Sequence, residues 1–137
     1  MIEIYTDGAL RRRQKLIGAW CYFILMPNTS LTKAKVETDP TITNNRMELT
    51  AVINAFKACP PNSQITLYTD SQYVVYGINN GNTKTNTDLW TTYTKVITNL
   101  KLDVTVKHVY GHQDDIGNNV VDLTMRHMID LILKQKE

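Results

Sequence analysis

Cysteine is scarce in this chain of 137 residues, which holds only Cys21 and Cys59. Their spacing matches no metal-ligand pattern, and Cys21 falls in an apolar run, so buried free thiols are expected rather than a disulfide framework. That usage fits a reducing, cytoplasmic setting. Long hydrophobic runs are missing too: the longest, Leu16 to Met26, is too short to span a bilayer and contains Gly18. A secretory leader is not expected, because Glu3 and Asp7 interrupt the first residues and no basic start precedes an apolar stretch. Nor does charge of one sign dominate. Fifteen Lys and Arg against thirteen Asp and Glu leave +2, which does not by itself point to nucleic acid. A content of 42% hydrophobic and 20% charged residues excludes disorder and suits one core of single-domain size, residues 1–137.

What is present begins with a repeated phrase. Tyr5-Thr6-Asp7 ends one β-prone run and Tyr68-Thr69-Asp70 ends another, each followed by a small residue, Gly8 or Ser71. Asp is depleted in strands, so one such placement reads as a turn residue, whereas two in the same context suggest a shared site. Alternation predicts a strand over 2–7, and apolar or mixed runs predict two more over 16–26 and 31–38, joined by a turn at Pro27-Asn28. The period then changes. Leu49, Val52, Ile53 and Phe56 mark an amphipathic helix over 45–58, which Pro60-Pro61 stops. A strand over 64–69, a helix over 71–78 with Ser71 as N-cap, a helix over 88–100, a strand over 103–109, a loop over 110–117 and a helix over 118–134 complete the order βββαβααβα.

This order implies an α/β fold with a five-stranded mixed sheet, three antiparallel strands followed by parallel ones, flanked by helices. With the first helix as crossover, the strands ending at Asp7 and Asp70 lie side by side, at the sheet edge where ligands of open α/β sheets bind. Glu48 is expected in the first turn of the first helix and Asp122 at the start of the last, both bordering apolar stripes. Four carboxylates drawn to one place repel one another and call for a cation, and hard oxygen donors suit Mg²⁺ or Mn²⁺. Two such ions could serve phosphodiester hydrolysis. Each acid also has a plainer reading. Asn45 and Glu48 have capping-box spacing, Asp122 near a helix start suits the helix dipole, and Asp7 and Asp70 can be turn residues.

The stretches YTDGA (5–9), TNNRMELTAV (43–52), YTDSQYV (68–74), DLW (88–90) and GHQDDIGNNVVD (111–122) resemble the motifs of type 1 ribonuclease H, in the family's order and across essentially the whole chain. The resemblance implies a ribonuclease H-like fold and an endonuclease that cuts the RNA strand of an RNA/DNA hybrid, leaving 5′-phosphate and 3′-hydroxyl ends. By that resemblance Asp7 bridges two Mg²⁺ ions, with Mn²⁺ as an alternative. Asp122 helps hold the ion that activates water, and Glu48 and Asp70 hold the ion on the leaving-group side. His112 matches a loop histidine that assists proton transfer or product release, or is simply a solvated loop residue. Asn44, Asn45 and Gln72 match minor-groove contacts, and their amides both donate and accept, as reading a 2′-OH requires. Thr43 matches a residue that holds a DNA phosphate; in the plainer readings Thr43, Asn44 and Asn45 are helix caps and Gln72 is an exposed polar residue. Asn118 is retained from the family's Asn-Glu pair, but Asn119 stands in place of the acid.

The sequence departs from the family elsewhere. Where the family has a Gly-rich loop, this chain has LRRRQK at 10–15, so Arg11, Arg12 and Arg13 are candidates for phosphate binding, with a solvated hairpin tip as the alternative. The stretch between residues 78 and 88 leaves no room for the basic protrusion many members carry. Weaker substrate grip is therefore expected, with an accessory nucleic-acid-binding partner as one remedy. A monomer is expected. Competing readings are a nuclease acting on DNA junctions, a non-catalytic hybrid-binding module and a partner-dependent domain.

Overall fold

The computed structural model describes residues 1–12, 15–81, 84–110 and 116–135. Its elements are β1 (Ile2–Arg12), β2 (Leu16–Met26), β3 (Thr29–Glu37), α1 (Asn44–Lys57), β4 (Gln64–Thr69), α2 (Gln72–Asn80), α3 (Thr87–Leu100), β5 (Asp103–His108) and α4 (Ile116–Gln135). The strands form one sheet in the order β3-β2-β1-β4-β5. β1, β2 and β3 pair antiparallel, whereas β4 lies parallel to β1 and β5 parallel to β4. The expected five-stranded mixed sheet is thus present.

Helices cover both faces. The stripe Leu49, Val52, Ile53 and Phe56 is 0–3% exposed and packs with Ile2, Ile4 and Leu67 in the larger core. On the other face Val121, Met125 and Ile129 of α4 close over Ala19 and Cys21 of β2. Burial from both sides explains why β2 is apolar almost without alternation. Among the described residues no helix is long and apolar enough to cross a membrane.

Several boundaries differ from expectation, each for a local reason. β1 does not stop at residue 7: antiparallel pairing with β2 carries it on to Arg12, opposite Leu16. Arg11 and Arg12 are therefore strand residues, not a hairpin tip, and Arg13 lies outside the described residues. α1 starts at Asn44 because Thr43 is the N-cap: its backbone is extended, and its Oγ1 accepts from Arg46 N–H at 3.2 Å. Asn45 is already helical, so the capping-box reading fails. Ser71 does cap α2, accepting from Val74 N–H at 3.1 Å.

Gly77 of α2 meets the indole of Trp90 of α3 so closely that an added Cβ would fall within the ring's Cζ2 and Cη2 atoms. The indole is 3% exposed and is pinned by donating Nε1–H to Tyr73 Oη at 2.9 Å. Gly→Ala inside a helix ordinarily stabilises by about 1 kcal/mol. Here overpacking reverses the sign, at a cost of about 1–3 kcal/mol. Gly77→Ala is expected to lower Tm by roughly 3–8 °C, read by circular dichroism; an unchanged or higher Tm would show that the indole can move aside.

Candidate active site

The repeated Tyr-Thr-Asp phrase has a structural basis. β1 and β4 pair in parallel from Ile2↔Ile65 to Tyr5↔Tyr68, and there the pairing ends. The two tyrosine rings stack across that last pair at 4.8 Å between centroids. Two residues further along each strand come Asp7 and Asp70, at matching positions. β1 continues in its pairing with β2, while β4 ends at Thr69 and gives way to α2. The sheet splits at this point, and the two carboxylates flank the split.

Glu48 enters from α1. A Cβ on Gly8 would stand 2.6 Å from the Met47 carbonyl carbon and 2.9 Å from Glu48 Cα, so only glycine lets the helix backbone lie this close to β1. That approach brings the Asp7, Glu48 and Asp70 carboxylates together, with one oxygen from each within 4.8 Å of the others. Asp70 is fixed through its neighbours. The Ser71 N–H donates to Thr69 Oγ1 at 3.1 Å, and Val109 N–H donates to the Thr69 carbonyl at 2.9 Å. Asp122 comes from α4, which is docked where the Cys21 thiol donates to the Val121 carbonyl at 3.0 Å. Asp122 faces the same cleft of about 380 Å³ as the other three acids. Its carboxylate accepts from Arg126 Nη2 at 2.9 Å.

Glu48 lies one residue and Asp122 two residues deeper in their helices than expected, which puts both past the first turn. α1 begins at Asn44 and α4 at Ile116, and neither helix has an acid in its first turn. The dipole and capping explanations for these acids lose their basis.

Burial and mutual repulsion govern the electrostatics. Asp7 is pushed up to about 7, mainly by desolvation and then by the Asp70 charge; the Gly8 N–H, donating to Asp7 Oδ1 at 2.9 Å, pulls the other way. Glu48 is raised well above the usual carboxylate range, first by burial, then by the charges of Asp7 and Asp70. Among the described residues its buried Oε2 atom has no hydrogen-bond partner. A buried acceptor left orphaned among like charges is costly unless a cation fills the space. The donors are all carboxylate oxygens, which fits a hard divalent ion such as Mg²⁺ or Mn²⁺.

The amides form a second, adjoining depression of about 330 Å³, where Asn44, Asn45 and Gln72 meet Glu48 and Asp70. Asn44 borders both spaces. Thr43, exposed, stands just before them at the helix start. Arg11 lines the cleft on the same face of β1 as Asp7, whereas Arg12 alternates to the other face and is not among the lining residues. His112 and the Asn118 side chain lie outside the described residues.

Two arginines were not anticipated from the sequence. Arg126 lines the cleft, and its only sequence signal is the i,i+4 spacing from Asp122. Arg46 forms a two-pronged pair with Asp88 at 2.8 and 2.9 Å and also donates to Asn86 Oδ1 at 3.2 Å. The Arg46 hydrogen bond is the main reason Asp88 is lowered to about 2. This contact ties the first turn of α1, which carries Asn44 and Asn45, to the start of α3, and gives the DLW stretch a role.

The family model for RNase H matches residues 1–129. The chain belongs to the ribonuclease H family. Curated relatives named Ribonuclease H include one from Caldicellulosiruptor saccharolyticus, 35% identical over 93% of this chain and 95% of the relative. Others are from Chlorobium phaeobacteroides, 38% identical over 93% of this chain and 94% of the relative, and Albidiferax ferrireducens, 32% identical over 98% of each. This ribonuclease H-family enzyme carries a carboxylate cluster, and six residues separate α2 from α3.

The raised acids make a prediction for the metal-free protein. A carboxyl whose folded pKa exceeds its unfolded value stabilises the fold fully below the unfolded value, and that support is lost as pH rises through the folded one. For Asp7 the window runs from 3.8 to about 7. In chelator, Asp7→Asn should melt roughly 3–8 °C above the parent at pH 8, with the gap closing towards pH 4. Mg²⁺ or Mn²⁺ should raise the parent's Tm at pH 8 and the variant's far less. A variant less stable than the parent in chelator at pH 8 would contradict the repulsion.

Proposed function

We propose that this chain is an endonuclease that cleaves the RNA strand of RNA/DNA hybrids by two-metal-ion hydrolysis, leaving 5′-phosphate and 3′-hydroxyl ends. The observation that carries the reading is the cluster of Asp7, Glu48 and Asp70, with its orphaned Glu48 oxygen, opening directly onto an amide-lined groove. Asp7 would serve both ions, Asp122 the one on the water side, and Glu48 and Asp70 the one on the leaving-group side. When bound, the two Mg²⁺ ions, or Mn²⁺ in their place, supply Lewis acidity to the attacking and leaving oxygens.

The rest of the chain binds and orients. Asn44, Asn45 and Gln72 offer donors and acceptors in the groove beside the acids, and a 2′-OH is both donor and acceptor, so this groove would distinguish RNA from DNA. Thr43 and the free N–H groups of the α1 start suit a DNA phosphate. Arg11 would hold phosphate within the cleft, and Arg12 and Arg13 would add attraction further along the strand. His112 would move a proton or assist product release, and Asn118 would contact substrate. All these groups belong to one domain acting as a monomer in the cytoplasm.

The short link from Asn80 to Thr87 favours a second reading, a domain that needs a nucleic-acid-binding partner to cut. One assay separates the two. An end-labelled RNA strand is offered as RNA/DNA hybrid, single strand and RNA duplex, with Mg²⁺, Mn²⁺ or EDTA, at low salt. The expected outcome is metal-dependent cutting of the hybrid only, falling steeply with salt, and reduced roughly 10²-fold or more by Asp70→Asn, since even outer-shell losses cost up to that much. A folded protein that binds hybrid without cutting it in either metal would favour the partner-dependent or non-catalytic reading.

A further inference from the structure

The cleft is acidic, yet on the proposed reading its ligand is a polyanion. Among the described lining residues four carboxylates face two cations, Arg11 and Arg126. With all four ionised the balance is two negative charges, which repels phosphate. Two divalent ions would reverse the sign and leave two positive charges, equal to the two arginines. The arginines therefore decide whether a loaded cleft merely tolerates phosphate or attracts it.

Among the described residues, Arg126 has an acidic partner inside the cleft. Its guanidinium donates to Asp122 at 2.9 Å, in the i,i+4 arrangement that favours such a pair. The side chains are 51% and 33% exposed, so water screens the pair and little is lost when it opens. Asn119, Asp122 and Arg126 all face the cleft along one edge of α4, while Val121, Met125 and Ile129 anchor the helix to the sheet. The anchor holds the Arg126 backbone in place while its exposed guanidinium remains free to turn.

We propose that Arg126 exchanges partners: it neutralises Asp122 while the site is empty, and once cations take Asp122 it turns to a phosphate of the RNA strand, next to Arg11. The guanidinium suits the second role, because its planar fork meets two phosphate oxygens at once. The exchange makes phosphate binding conditional on metal loading and supplies grip at the cleft itself, where no basic protrusion is at hand. It rests on the hybrid-hydrolysis reading.

The test is Arg126→Gln, with Arg126→Lys as the conservative variant, in steady-state cleavage of a short hybrid at several salt concentrations. KM should rise roughly 5–20-fold in the Gln variant, a loss typical of one charge-assisted contact. Its kcat should stay within about twofold, and the slope of log(kcat/KM) against log salt should become shallower by about 1. The Lys variant should restore the slope but only part of KM. Without nucleic acid, Mn²⁺ binding followed by the paramagnetic resonance of the free ion should tighten in the Gln variant, because a competitor for Asp122 is gone. Unchanged KM and salt slope in an active Gln variant would overturn the exchange, as would weakened Mn²⁺ binding with a fallen kcat, which would make Arg126 a support for Asp122 alone. A parent that fails to cut the hybrid would instead strike the hydrolysis reading.

Discussion

The structure depends on a repulsion it does not resolve by itself. Asp7, Glu48 and Asp70 come within 4.8 Å of one another, and Asp7 and Glu48 are 7% and 5% exposed. Nothing in the packing requires carboxylates there. The strand split, the glycine that lets α1 close on β1 and the capped turn that holds Asp70 all work to bring the charges together. The fold carries this cost because the larger core, centred on Leu49, Val52 and Phe56 against Ile4 and Leu67, is independent of it. A divalent cation turns the same arrangement from a liability into a binding site.

The parts of this design visible in the sequence are those with a period or a repeat. The i, i+3, i+4, i+7 stripe of α1 and the two Tyr-Thr-Asp phrases are local signals, and each corresponds to an observed element. What stayed hidden is set by pairing across the chain. Nothing local says that β1 runs to Arg12, because its length is set by β2. Thr43 is legible as one of three possible caps, and its extended backbone decides for it over Asn44 and Asn45. The Arg46–Asp88 and Asp122–Arg126 pairs are likewise properties of the packed helices, though the spacing of the second was there to be noticed. Arg11 and Arg12 look equivalent as a run of letters, yet strand alternation puts one in the cleft and one on the other face.

The substrate side follows the same economy. The amide groove shares Glu48 and Asp70 with the acidic site, so on the proposed function recognition and chemistry would lie on adjacent walls of one surface. The Arg46–Asp88–Asn86 contacts brace that surface from behind, and Tyr73 joins them by accepting from Asn86 Nδ2 at 3.1 Å and from Trp90. Six residues lie between α2 and α3, and on the proposed function grip would come from the site's own arginines or from a partner.

Like charge held together out of water keeps protons on the acids until a cation arrives. Proton release on metal binding tests it most directly. Mg²⁺ or Mn²⁺ would be titrated into the parent protein by calorimetry in buffers of different ionisation enthalpy, at pH 6.5 and at pH 9. Binding should release about one proton or more per site at pH 6.5 and fewer at pH 9, since ligands must be deprotonated to bind. Tight binding at pH 6.5 with no proton release would contradict the account.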